Sequence, residues 1–94
     1  MRVVAVNIGG TIIEFHNSMW TGTETVYVNG KLASEKHSFF GTTHFFQVME
    51  EGVLVNYELK SRHNAYGSLV ADIKRNGVYV LATGSSCFHN KKVV

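Results

Sequence analysis

The stretch Thr25–Ser34, with the sequence TVYVNGKLAS, decides the fold of this chain. Its first and last four residues suit β-strands, and Asn29-Gly30 separates them. Asn-Gly is the preferred pair for a two-residue type I′ turn, because both central residues need a positive φ and the twist of that turn matches the twist of the flanking strands. The same arrangement recurs in 72–81, DIKRNGVYVL, around Asn76-Gly77. The sequence therefore predicts two tight antiparallel hairpins.

The rest of the chain continues the strand pattern. Residues 53–60 alternate between apolar and polar side chains, which predicts one buried and one solvated face, and Glu50-Glu51-Gly52 predicts a third hairpin before them. No segment has a sustained helical spacing of apolar residues, so we expect little or no helix. The predicted strands are 2–8, 11–16, 23–28, 31–40, 43–49, 53–60, 68–75 and 78–83.

Length and composition place these strands in a single domain. The chain has 94 residues, of which 45% are hydrophobic, enough for one modest core. Eight short strands with glycine turns every 8–12 residues are typical of an all-β antiparallel sandwich or flattened barrel. We predict one domain over 1–94, with a frayed tail at 84–94.

Charge and cysteine content narrow the classes of partner and the compartment. The formal net charge is +2, without the cluster of Lys and Arg that binding to nucleic acid or to an anionic membrane requires. The apolar opening 1–6 is too short for a signal-peptide core or a membrane span. Cys87 is the only cysteine, which excludes an intrachain disulfide and favours a reducing, cytosolic location.

The segments Ile13-Glu14-Phe15 and 26–31, VYVNGK, resemble the repeated β-sandwich unit of the Fas apoptosis inhibitory molecule family. Further similar positions are Lys36, Phe39 or Phe40, Phe46 with Val48, Ala65-Tyr66, and Ile73 with Asn76-Gly77. The similar region spans about residues 11–80. This chain has one unit rather than two and a shorter connection around Gly41. The resemblance implies a non-enzymatic antiparallel sandwich and brings no catalytic residues with it.

The residues suited to catalysis or metal binding are scattered. The five histidines are His16, His37, His44, His63 and His89. Only Cys87-x-His89 is closely spaced, whereas structural zinc usually needs two close pairs. His37 and His44 flank a predicted turn, where they either approach each other as a two-histidine metal site or make ordinary hydrogen bonds. We predict no enzyme, no metal and no cofactor, since Asp72 is the only aspartate and no nucleophile-elbow motif occurs.

Aromatic residues are the candidates for binding. Trp20 sits in a polar loop, and the pairs Phe39-Phe40 and Phe45-Phe46 flank residues 41–44. Adjacent residues of a strand point to opposite faces, so one member of each pair is expected in the core and the other outside. The outer residues form with Trp20 an apolar patch of the kind that marks protein interfaces, unless a second sheet or the tail covers both faces.

Two functions follow from this pattern. The first is a non-catalytic protein-interaction or scaffold module, which buries Trp20 and one member of each Phe pair against a protein partner or a second copy of the chain. The alternative is a domain that holds a small ligand, a lipid or a sugar, between its sheets. The sequence predicts no nucleic-acid or membrane partner for either.

Overall fold

The computed structural model describes residues 1–82, which form eight β-strands and no helix. The strands are β1 (Arg2–Ile8), β2 (Thr11–Ser18), β3 (Thr23–Val28), β4 (Lys31–His37), β5 (Thr43–Glu50), β6 (Val53–His63), β7 (Leu69–Arg75) and β8 (Val78–Ala82). The first four make one antiparallel sheet and the last four make another, each in sequence order. This confirms the predicted all-β antiparallel architecture. Residues 1–82 contain no helix of the length and apolar character needed to cross a membrane.

Both predicted Asn-Gly turns are present and have positive φ at both central residues. The φ angles are 50° and 83° at Asn29-Gly30 and 48° and 82° at Asn76-Gly77. Each asparagine also binds the strand that precedes its hairpin in the same sheet. Asn29 Oδ1 accepts from Ile12 N of β2 at 2.9 Å, and Asn76 Oδ1 accepts from Asn56 N of β6 at 3.0 Å. The asparagine side chain therefore extends the hydrogen bonding from two strands to three.

The meander places two kinds of connection at opposite ends of the molecule. Four two-residue turns lie at one end, the turn end, and include the predicted hairpin turn at Glu51-Gly52. The three longer connections, 19–22, 38–42 and 64–68, lie at the other end, which we call the loop end. Loops carry function more often than the strands that support them, so this end is the first place to look for a site.

One hydrophobic core lies between the two sheets. Its buried residues are Val6, Ile13, Phe15, Val26, Phe46, Val48, Val55, Tyr57, Leu59, Ala71, Ile73 and Leu81. Phe46 and Tyr57 stack with ring centroids 5.5 Å apart. The inward positions of β6 follow the predicted alternation from Val55 to Leu59 and continue one step further than expected, to Ser61. Val53, at the start of the predicted buried face, is exposed.

The predicted strand 31–40 was too long, because β4 ends at His37. The chain then turns from the first sheet to the second through 38–42, where Gly41 has a φ of 100°. A Cβ atom on Gly41 would lie 2.5 Å from the backbone oxygen of Ser61, so the close approach requires glycine. The connection is fixed further by the hydrogen bond from Ser38 N to Gly22 O, at 2.7 Å.

Candidate functional site

Large apolar side chains project into solvent from all three connections of the loop end. Trp20 is 95% exposed, Phe40 92% and Tyr66 94%. Met19 and Phe39 are exposed beside them in the same connections. We call Met19, Trp20, Phe39, Phe40 and Tyr66 the loop-end surface. Exposed aromatic residues concentrated at one end of a domain are typical of an interaction site.

The two Phe pairs behave differently. Phe46 is buried, whereas Phe45 is exposed on the outer face of the second sheet, where it pairs across the strands with Glu58. The Phe45-Phe46 pair therefore alternates between the two faces as expected. The prediction that Phe39 or Phe40 enters the core was wrong, since both are exposed. The strand has ended before them, and the alternation of faces no longer applies. Phe39 instead covers Gly22, where a Cβ atom would lie 2.9 Å from its ring.

The predicted binding residues are therefore divided among three places. Trp20, Phe39 and Phe40 share the loop-end surface, since the contact of Phe39 with Gly22 brings two of the connections together. Phe45 lies on a strand face rather than in a connection, and Phe46 is part of the core. Tyr66 also belongs to the loop-end surface, although it was not predicted to be a binding residue.

A buried polar cluster lies beneath the loop end and joins the two sheets. His44 of β5 contacts Glu24 of β3, with 3.1 Å between Nε2 and Oε1, and Ser34 of β4, with 2.7 Å between Nδ1 and Oγ. Ser61 of β6 donates to the same Oε1 of Glu24 at 2.7 Å. We call Glu24, Ser34, His44 and Ser61 the buried cluster. Its charged and polar atoms hold the sheets in register where the core becomes polar.

A β-bulge brings Ser34 into this cluster. Val26 pairs with Ser34 and Tyr27 with Leu32, so Ala33 is an extra residue in β4. Without it, Leu32 and Ser34 would share one face, because residues two apart in a strand point the same way. The bulge allows Leu32 to stay exposed while Ser34 reaches His44.

The surroundings of His44 favour its neutral form. Burial lowers its pKa, since the imidazolium loses its hydration, and nearby Lys36 acts in the same direction. The hydrogen bond and the charge of Glu24 oppose this shift without cancelling it. The neutral tautomer that satisfies both contacts carries its proton on Nε2, donates it to Glu24, and accepts a hydrogen bond from Ser34 Oγ.

The order Ser34–His44–Glu24 has the composition of a nucleophile, a base and an orienting carboxylate. A general base must reach the proton that it removes, however, and the His44 side chain has no exposed area. Both ring nitrogens are used inside the core, and the ring packs edge-on against Phe15 at 5.9 Å. The arrangement favours a structural role.

The histidines do not assemble the metal site considered from the sequence. His37 is exposed and bonds Thr23 Oγ1 through Nδ1 at 3.0 Å, whereas His44 is occupied in the core. Within residues 1–82, no group of three or more His, Cys, Asp or Glu side chains is arranged to hold a metal ion. Cys87, His89 and the predicted frayed tail 84–94 lie outside the described residues.

A second polar cluster lies at the turn end. Glu50 accepts hydrogen bonds from Thr11 of the first sheet at 3.0 Å, from Tyr57, and from Arg75 at 2.7 Å. Burial alone would raise the pKa of Glu50, but the bonds from Tyr57, Arg75 and Thr11 together lower it. Burial and the bond to Glu50 raise the pKa of Tyr57 to about 12. This cluster fastens the sheets at the turn end.

A small pocket opens between the sheets at the loop end, with Glu24 in its lining. The other lining residues are Asn17, Ser18, Met19, Gly22, Ser38, Phe39, His63 and Leu69. Its volume is about 140 Å³. Pockets for lipids and sugars usually have volumes of about 300–1,000 Å³, so this one suits a much smaller group.

Neither Glu24 nor Ser61 was predicted as a site residue, although the sequence contains a signal for both. Glu24 occupies an inward position of β3 together with Val26 and Val28, and Ser61 continues the inward row of β6. Polar residues on an otherwise apolar face indicate a buried network. Comparison of the chain with protein-family models, curated proteins and solved structures gives no match.

Proposed function

We propose that this chain is a non-catalytic protein-interaction module that binds a protein partner through the loop-end surface. The observation that carries the proposal is the nearly complete exposure of Trp20, Phe40 and Tyr66 on three connections at one end of the sandwich. Leaving such side chains in water is unfavourable, and tryptophan and tyrosine are the residues most enriched at the energetic centres of protein interfaces.

The anchoring of the loops supports this role. Phe39 and Phe40 follow Ser38, whose N–H binds Gly22 O, and they precede Gly41, which packs on Ser61. Binding through loops that are already held costs less conformational entropy than binding through loops that must first be ordered. The surface is thus prepared to meet a partner with little rearrangement.

The burial of His44 supports a role without catalysis, because the base that contacts Ser34 cannot meet a substrate. A relation to the Fas apoptosis inhibitory molecule family would agree with a non-enzymatic sandwich and stays a hypothesis that rests on the sequence motifs alone. A cytosolic location likewise stays a prediction from the single cysteine.

Selection of peptides from a displayed library against the purified chain tests this function. We expect binders whose affinity falls about 30-fold with Trp20→Ala or Phe40→Ala, which corresponds to about 2 kcal/mol at an interface centre. Leu32→Ala is the matched control, since Leu32 is exposed on the first sheet and away from the loop connections. Sedimentation of the same variants tests a second copy of the chain as the partner.

Two results would contradict the proposal. In the first, binders or self-association are equally strong in the wild type and in both aromatic variants. In the second, Leu32→Ala weakens binding as much as Trp20→Ala does, which would move the interface to the strands of the first sheet.

A further inference from the structure

Glu24 is a buried carboxylate whose second oxygen has no partner in the described part of the chain. The residue is 1% exposed, and Oε1 accepts hydrogen bonds from both His44 and Ser61. Within residues 1–82, no hydrogen bond reaches Oε2. Since no buried side-chain oxygen lacks a partner there, Oε2 must keep some accessible area, and the pocket that Glu24 lines is where it meets open space.

Among residues 1–82, His44 is the only potentially cationic side chain in direct contact with Glu24. No lysine, arginine or N-terminal amine among residues 1–82 lies within 4 Å of it. Lys36 is its cross-strand neighbour but donates to Thr43 O at 2.7 Å, and the N-terminal ammonium donates to Asn17 O at 2.9 Å. The neutral form of His44 is favoured by its surroundings. Buried charges in proteins are paired or bind a cation, so this carboxylate calls for a positive group in the pocket.

The pocket has the size and the lining that a small organic cation requires. A volume of about 140 Å³ corresponds to roughly four or five water molecules, at about 30 Å³ each. The Phe39 ring and Met19 supply soft apolar walls, and an aromatic face attracts an ammonium group. Asn17, Ser38 and His63 add polar groups to the lining. Glu24 is the single carboxylate of that lining, and no group of three or more His, Cys, Asp or Glu side chains is arranged to hold a metal ion within residues 1–82.

We propose that the Glu24 pocket binds an ammonium group, presented either by a small free amine or by a lysine side chain. The ammonium donates to Glu24 Oε2 at the base of the pocket, and its carbon chain lies against Phe39 and Met19. This site goes beyond the proposed protein-interaction function. If the donor is a lysine, it belongs to the partner that also covers the surrounding aromatic residues.

Titration of the isotope-labelled chain with methylammonium chloride, followed by amide NMR, tests the site. We expect saturable shifts at Gly22, Ser38 and Leu69 in the millimolar range, and none with sodium chloride at the same ionic strength. Glu24→Gln keeps an oxygen for His44 and Ser61 but removes the charge, and we expect it to weaken binding at least about tenfold. Glu58→Gln removes one negative charge from the outer face of the second sheet and is expected to bind as the wild type does.

Two model compounds separate the sources of the ammonium group. Nα-acetyl-lysine methylamide and its uncharged analogue Nα-acetyl-norleucine methylamide differ only at the end of the side chain. Binding of methylammonium and the lysine compound assigns the site to lysine, and binding of methylammonium alone assigns it to a small amine. Shifts that do not saturate, that sodium chloride reproduces, or that survive Glu24→Gln overturn the proposal.

A further variant protects the test against a misfolded Glu24→Gln protein. Phe39→Leu keeps an apolar wall but removes the aromatic face, and its side chain lies outside the buried cluster. We expect methylammonium to bind it several-fold more weakly, and unchanged binding to Phe39→Leu would contradict the pocket assignment. None of these measurements involves Trp20 or Phe40, so the pocket and the loop-end interface can fail independently.

Discussion

Replacing Ser61 with alanine is expected to destabilise the protein far more than its size suggests. Ser61 Oγ accepts from Thr42 N at 2.8 Å and lies 2.7 Å from Glu24 Oε1, to which it donates. The change leaves the part-buried N–H of Thr42 without its side-chain acceptor and the buried Glu24 carboxylate with one donor fewer. Each loss costs about 1–3 kcal/mol, so we expect a decrease of about 3 kcal/mol in the free energy of unfolding. For a domain of this size that lowers Tm by roughly 12–24 °C.

Urea denaturation followed by tryptophan fluorescence or circular dichroism measures this change. Ser34→Ala is the matched control, because Ser34 has one bond in the buried cluster, to His44, and is only half buried. We expect it to cost about 1 kcal/mol. If Ser61→Ala costs less than about 1 kcal/mol, or no more than Ser34→Ala, then the buried cluster does not hold the sheets together in the way described.

Two further substitutions test the backbone and the turn-end cluster. Gly41→Ala is expected to lower the free energy of unfolding by about 3 kcal/mol or more, measured by urea denaturation, because its Cβ would meet Ser61 O. The control Gly10→Ala has a similar φ but open space around the Cβ, and we expect it to cost about 1 kcal/mol. Equal costs for the two variants would contradict the steric argument. Tyr57 has a pKa raised to about 12, so the folded state holds its proton where the unfolded chain releases it. The contribution of the protonated Tyr57 hydroxyl to the free energy of unfolding is therefore fully present below pH 10 and is lost as the pH rises to about 12. Tyr57→Phe should remove that part of the alkaline loss, and an unchanged stability profile between pH 10 and 12 would refute the assignment.

The strand architecture could be predicted from the sequence because its signals are local. An Asn-Gly pair needs no distant contact to favour a type I′ turn, and the angles at Asn29 and Asn76 are those of that turn. The alternation in 53–60 likewise reports which face is buried. Consecutive hairpins then leave little choice in the order of strands within a sheet.

The loop end could not be predicted in this way because its structure depends on distant contacts. The end of β4 at His37 is set by the approach of Gly41 to Ser61, 20 positions later in the chain, and by the bond from Ser38 to Gly22. Without those contacts, the residues around Phe39 and Phe40 read as a continued strand. The bulge at Ala33 shifts the register of β4, and a strand pattern of strictly alternating faces does not predict it.

The contrast between buried Glu24 and part-buried Glu50 gives the strongest argument for placing function at the loop end. Glu50 at the turn end accepts from Arg75, Tyr57 and Thr11, so its charge has a cationic partner and its role in stability is complete within the chain. Glu24 is more deeply buried and has only His44 and Ser61 as hydrogen-bond donors among residues 1–82, both on Oε1. A buried carboxylate that is not fully paired costs stability. Its position next to an open pocket, and beneath exposed aromatic residues, is explained if a ligand brings a positive group to Oε2.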